Sequence, residues 1–168
     1  MRIVNFWLAI GCAAFAAGSA AAQAQLPAAI AAANAKPVVT LHAEGAQLYE
    51  CKAGSGGKLQ WAFREPIATL MLDSKTVGRH YAGPNWEYAD GSAVTGKVVA
   101  SAPGANAGDA AWLKLDVVAR RGSGTLANVD IVQRTNTSGG ALSGSCDRAG
   151  AFRSVPYSAD YVFLRKGG

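Results

Sequence analysis

From Val38 onward, apolar and polar residues alternate with a period of two, and glycine-, proline- or aspartate-containing breaks interrupt the pattern at short intervals. Side chains of a strand point alternately to the two faces of a sheet, so this pattern predicts antiparallel strands with one face inward and one in water. Residues 38–43 and 46–52 flank a turn-like Glu44-Gly45, and residues 59–64 follow Gly54-Ser55-Gly56-Gly57 with Leu59, Trp61 and Phe63 on one face. Residues 68–72 follow Pro66 and end at Asp73-Ser74-Lys75. Residues 77–95 read as a long irregular stretch before strand character resumes over 96–101. In 112–119, Leu113, Leu115 and Val117 alternate with Trp112, Lys114, Asp116 and Val118. Residues 126–133 return as the second arm of a hairpin, setting Lys114 and Asp116 against Asp130 and Arg134 on a wet face. The last strand, 157–164, puts Tyr157, Ala159, Tyr161 and Phe163 on one side. Helical periodicity is nearly absent, and residues 25–37 suit either a short helix or a linker, because Pro27 and the polar break before Pro37 oppose a longer helix. The pattern predicts a single-domain, antiparallel β-sandwich or barrel spanning 38–168.

The first 24 residues break this pattern and read as a cleaved signal peptide. Met1-Arg2 is a short positive start, residues 3–17 are almost wholly apolar, and Ala20-Ala21-Ala22 and Ala22-Gln23-Ala24 are both cleavage-type sequences. The run dissolves into alanine and glutamine too early for a transmembrane anchor. A lipoprotein cleavage at Cys12 would need a shorter apolar run than the one that continues past it. The expectation is a secreted or periplasmic protein. Of three cysteines, Cys12 would leave with the signal peptide, and Cys51 and Cys146 would remain in an oxidising compartment, where a disulfide is expected. Such a bridge closes a loop of about 95 residues, which the chain-entropy treatment values at roughly 4–5 kcal/mol.

Loss of Arg2 lowers the formal charge from +5 to +4, and no basic run exceeds Arg120-Arg121. This excludes a basic stripe for nucleic acid and leaves weak attraction to an anionic cell surface. Gly122-Ser123-Gly124-Thr125-Leu126-Ala127 fits a loose dinucleotide pattern, but β-branched, period-two residues follow it where a phosphate loop needs a helix N-terminus. No nucleophile elbow or zinc helix is present.

The chemistry-bearing residues concentrate in 78–92, where Arg79, His80, Tyr81, Asn85, Trp86, Glu87, Tyr88 and Asp90 surround the Gly83-Pro84 turn. As a ligand surface, Tyr81, Trp86 and Tyr88 give apolar faces and Arg79, Asn85 and Asp90 give polar contacts, suited to a carbohydrate or small molecule. As an acid/base or metal site, His80 with Glu87 or Asp90 would serve a small hydrolytic or metal-dependent enzyme, with His42 and Glu44 as further ligands if their strand meets the loop. As structure, the aromatics would plug the end of the sheet and Asp90-Gly91 would make a turn. A non-catalytic binding or envelope-associated module, with no cofactor and no resident metal, is the reading favoured by these residues.

Gln47-Leu48-Tyr49-Glu50-Cys51, Trp61 with Phe63, Pro66-Ile67-Ala68-Thr69-Leu70 and the run from Val77 to Trp86 occur in that order along the chain. Asp90-Gly91-Ser92, Trp112-Leu113, the 131–137 run with Gly139-Gly140, Cys146 and the 155–161 run follow them. Together they resemble a secreted bacterial and fungal family known only as domain of unknown function 3455, from about Leu41 to Phe163. Ala110-Ala111 stands where that pattern has Ile-Pro. The resemblance implies export and a β-rich domain, and it brings no activity with it.

Overall fold

The computed structural model describes residues 26–167. The expected signal peptide, with Cys12, lies outside the described residues. Eight strands run in chain order: β1 (Ala35–Ala53), β2 (Leu59–Leu72), β3 (Lys75–Tyr81), β4 (Asn85–Tyr88), β5 (Ala93–Ala102), β6 (Trp112–Arg121), β7 (Ile131–Gly139) and β8 (Phe152–Lys166). Each pairs antiparallel with the next, and β8 returns to pair with β1, so the sheet closes into an up-and-down barrel. Of the two expected architectures the barrel is the one formed, although β2 pairs with β3 only from Ala68 onward and β5 with β4 only over residues 93–95, which opens the ring at one end.

Up-and-down connectivity sends alternate connections to opposite ends. Segments 54–58, 82–84, 103–111 and 140–151 lie at one end, and 73–74, 89–92 and 122–130 at the other. The inward positions of the strands supply Leu41, Leu70, Trp86, Val94, Leu115, Val132, Tyr161 and Phe163, all fully buried. Burying a side chain of this size contributes about 1.5–3 kcal/mol. The predicted face of Tyr157, Ala159, Tyr161 and Phe163 is the inward face of β8. Leu126 and Val129, from the 122–130 connection, fold over the second end and are themselves fully buried in the core. That end is therefore closed by a plug of side chains.

Several expectations are corrected. Glu44-Gly45 is not a turn: β1 runs through it, with Gly45 opposite Ala68. A Cβ at Gly45 would stand 2.1 Å from the Ile67 carbonyl oxygen, so glycine there admits close passage of β2 rather than a reversal of the chain. Pro66 does not separate two strands. It lies within β2 opposite Gln47, beside a bulge between Leu48 and Tyr49, where the ladder tolerates a residue without an N–H. The irregular stretch 77–95 is the hairpin β3–β4 leading into β5. Residues 126–130 are the plug, and the strand predicted from 126 begins at Ile131.

The predicted helix-or-linker segment holds a single 3-10 turn, Ala28–Ile30. It lies on the outer wall, where Ile30 packs with Trp112 and Ala102 and the Gln133 side chain donates to the Ile30 carbonyl at 2.6 Å. The Cys51–Cys146 disulfide is formed, with Cα atoms 5.9 Å apart, and ties the end of β1 to the 140–151 connection. Among the described residues, no helix is long and apolar enough to cross a membrane.

Candidate functional site

Strand alternation disperses the predicted site residues. Arg79 pairs across the hairpin with Glu87, and His80 pairs with Trp86. One pair faces out of the barrel and the other faces in. On the outer wall, Glu87 accepts from Arg79 (3.0 Å), Tyr81 (3.2 Å) and Arg121 (2.8 Å), and the Arg79 guanidinium lies over the Tyr81 ring. Chiefly Arg79, with Tyr81 and Arg121, holds the Glu87 carboxyl below the usual range. This exposed ion-pair network has every strong group satisfied.

Asp90 lies at the closed end. It accepts from the Ser92 amide (2.9 Å), the Ser92 hydroxyl and the Thr125 amide (2.7 Å), while the Ser92 hydroxyl accepts from the Leu126 amide. Hydrogen bonds from Ser92 and Thr125 keep its carboxyl far below the usual range. Its work is to fasten the plug. Tyr88 packs on the core beside it.

His80 and Trp86 face the interior, their rings stacked with centroids 4.5 Å apart, and Tyr161 meets both edge-on. Gly96 on β5 makes room for the indole, since a Cβ there would approach Trp86 Cζ3 to 3.0 Å. His80 Nδ1 lies 2.8 Å from the Asn85 carbonyl oxygen. A carbonyl only accepts, so Nδ1 carries the proton and Nε2 is the lone-pair nitrogen of a neutral ring. Burial drives the His80 pKa down to about 3, with the Asn85 hydrogen bond opposing and the Arg134 charge assisting. Asn85 is the positioning residue of this corner: its side chain donates to Ala82 and accepts from Thr95, and its carbonyl orients His80. Trp86, read from the sequence either as an apolar face for a ligand or as a plug of the sheet, is a core residue at 1 % exposure.

His80, Glu87 and Asp90 therefore do not converge. They occupy the interior, the outer wall and the closed end. His42, on the outer face, contacts Asp160 and Glu44 and does not approach the His80 side. Among the described residues, no three His, Cys, Asp or Glu side chains form a group able to hold a metal ion.

What the fold does assemble is a cavity at the open end, in two adjoining lobes. The outer lobe, about 390 Å³, is lined by Gln47, Tyr49, Ala110, Ala111, Leu142 and Ser143 among others. The inner lobe, about 300 Å³, is lined by His80, Pro84, Trp86, Leu115 and Tyr161. Phe63, Val98, Leu113 and Arg134 border both. Arg134, expected on a wet face opposite Lys114 and Asp116, pairs instead with Leu113 and shares its inward face. Its Nε and Nη2 both donate to the Ala111 carbonyl, at 3.0 and 2.8 Å, and neither bond uses Nη1. Burial raises the Tyr157 and Tyr161 pKa values, so this hydroxyl pair, 3.1 Å apart, stays protonated. Gln47 Nε2 and Trp86 Nε1 are fully buried donors with no hydrogen-bond partner, and their side chains line the outer and inner lobes respectively. Composition and motif spacing did not single out Gln47 or Arg134. Their parity with inward neighbours on β1 and β7 was the available signal.

A family model described as a protein of unknown function (DUF3455) matches residues 31–165, and the chain belongs to that family. No match was found among curated proteins or among solved structures.

Proposed function

We propose that this chain is an exported, non-catalytic binding protein that takes a small molecule into the open end of its barrel. The observation that carries this reading is the pair of lobes at that end, whose walls are apolar apart from a few polar side chains, Gln47 and Tyr49 in the outer lobe and Arg134 between the two. Buried polar groups in folded proteins are nearly always paired, and the Nε2 of Gln47 and the Nε1 of Trp86, behind the walls of the two lobes, are exceptions, as is Trp112 Nε1 on the outer wall. The lobes fall within the size range of small-molecule sites, and an eight-stranded barrel is just wide enough to hold one such ligand. The dispersal of His80, Glu87 and Asp90 argues against hydrolysis, because acid/base chemistry needs its groups on one reacting atom. Export accords with the apolar N-terminal run and with a disulfide between the two cysteines that would survive its removal.

The test is fluorescence titration with the neutral apolar dye N-phenyl-1-naphthylamine. The wild type should bind one equivalent. Val98→Trp, which puts an indole where both lobes meet, should abolish binding while the thermal midpoint stays near that of the wild type. Glu87→Gln, on the outer wall, should bind as the wild type does. Equal dye binding by the Val98→Trp protein would place the ligand elsewhere and sink this reading.

A further inference from the structure

We infer that the occupant is a small organic monoanion, with a flat apolar body in the inner lobe and a carboxylate on Arg134. The inference rests on the binding barrel proposed above and names the ligand class it takes.

The other arginines with ion pairs in this chain show what Arg134 lacks. Arg79 and Arg121 meet Glu87, Arg120 meets Asp130, and Arg64 meets Glu50 and Glu65. Arg79, Arg120 and Arg121 lie on the outer wall, and Arg64, which also borders the inner lobe, already has Glu65 at 3.1 Å and Glu50 at 3.7 Å. Arg134, half-buried and turned inward, has no carboxylate within ion-pairing distance among the described residues. The Ala111 carbonyl fixes one edge of the guanidinium, and the Tyr161 hydroxyl lies within its reach, but both partners are neutral and neither supplies a counter-charge. A cation inside a barrel is costly unless a counter-charge reaches it.

Arg134 is the charged group shared by the two lobes, and Phe63, Val98, Leu113 and Leu115 give them apolar walls. A carboxylate supplies acceptor oxygens in the planar geometry that a guanidinium fork matches. A metal cation is repelled by Arg134. A neutral sugar leaves the guanidinium unpaired, and a bare inorganic anion leaves the apolar walls uncovered. The stacked Trp86 and His80 rings, with Tyr161 edge-on to both, give the inner lobe an aromatic wall that favours a flat body.

Direct calorimetric titration at pH 7 with 2-naphthoate and its neutral isostere 2-naphthamide tests this in the full mature chain. The wild type should bind naphthoate more tightly by about tenfold or more, the ordinary worth of a charge-assisted hydrogen bond. In Arg134→Gln the two should bind alike, and in Arg134→Lys the preference should be partly kept. Equal affinities in the wild type would overturn the anion inference and leave the binding barrel standing, as would an undiminished preference in Arg134→Gln. Binding of neither compound, together with failure of the dye titration, would overturn both. Should Arg134→Gln fail to fold, the wild-type ratio and the Arg134→Lys protein decide the matter.

Discussion

The two ends of this barrel are built from the same eight strands and differ in what their inward positions carry. At the closed end, Leu126 and Val129 descend between the strands, and Asp90 and Ser92 hold their connection by its backbone amides. The Asp90 carboxylate and the Ser92 hydroxyl there are both used. At the open end the inward positions turn polar: Gln47 and Tyr49 on β1, Arg134 on β7, with one buried donor on Gln47 left unpaired. A protein stabilised at one end can tolerate unmet polar groups at the other, and unmet groups are what a ligand recognises. Stability and recognition are separated along the barrel axis.

Truncations at the two ends would break that comparison most directly. Trp86→Ala removes the side chain that belongs both to the core and to the inner lobe, and should cost about 3–5 kcal/mol, while Leu126→Ala in the plug should cost about 2–5 kcal/mol. Phe63→Ala at the mouth should cost far less, because its ring is 53 % exposed and has little transfer free energy to lose. Urea midpoints with an unchanged slope measure all three. Equal losses for Leu126→Ala and Phe63→Ala would show that the two ends do not differ as described.

The disulfide qualifies the contrast, since it braces the open end. Its partners are stitched further by the Cys51 amide to Ala151, the Gly150 amide to Cys51 and the Cys146 amide to Leu59. In the double variant Cys51→Ala with Cys146→Ala, stability should fall by roughly 2–5 kcal/mol. Amide exchange should quicken first in the 140–151 connection and last around the plug. Intact mass of protein recovered outside the cytoplasm should give a chain starting at Gln23 or Gln25 with no free thiol. A retained N-terminus would refute cleavage after Ala22 or Ala24, recovery in the cytoplasm alone would refute export, and faster exchange in the plug than in 140–151 would refute the placement of the brace.

Much of the fold was legible because a strand's period of two is written in its side chains. Tyr157, Ala159, Tyr161 and Phe163 face inward as the alternation requires, and counting cysteines found the bridge. The alternation failed where short strands meet tight turns. β4 has four residues between Gly83-Pro84 and Asp90-Gly91, too few to show a period, so a hairpin read as a loop. That misreading grouped side chains by sequence proximity, whereas the hairpin sends His80 and Trp86 inward and Arg79 and Glu87 outward. Charge alone puts Arg134 in solvent, whereas its parity with Val132 on β7 puts it inside. Hydrophobicity gave the wrong face here because the barrel's interior is wet at one end.

The last contrast is between His80, enclosed and neutral, and an ordinary solvated histidine. Burial holds the folded pKa at about 3 against an ordinary value of 6.5, so between these values the unfolded chain binds a proton that the folded chain refuses. The folded state binds fewer protons there, and stability rises with pH. The contribution is fully present above pH 6.5 and is lost as pH falls towards 3, with a limiting slope of about 1.4 kcal/mol per pH unit. Asp90 and Glu87, held below the usual carboxylate range, add their own acid sensitivity lower down, so the histidine is read most cleanly between pH 6.5 and 4.5. His80→Phe keeps a ring against Trp86 and removes the titrating nitrogen. Its unfolding free energy should be lower than that of the wild type at pH 7, since the bond to the Asn85 carbonyl is gone, and flatter through this window. Parallel pH profiles for the two proteins would mean that the histidine is solvated in solution and that the inner lobe is open to water down to its floor.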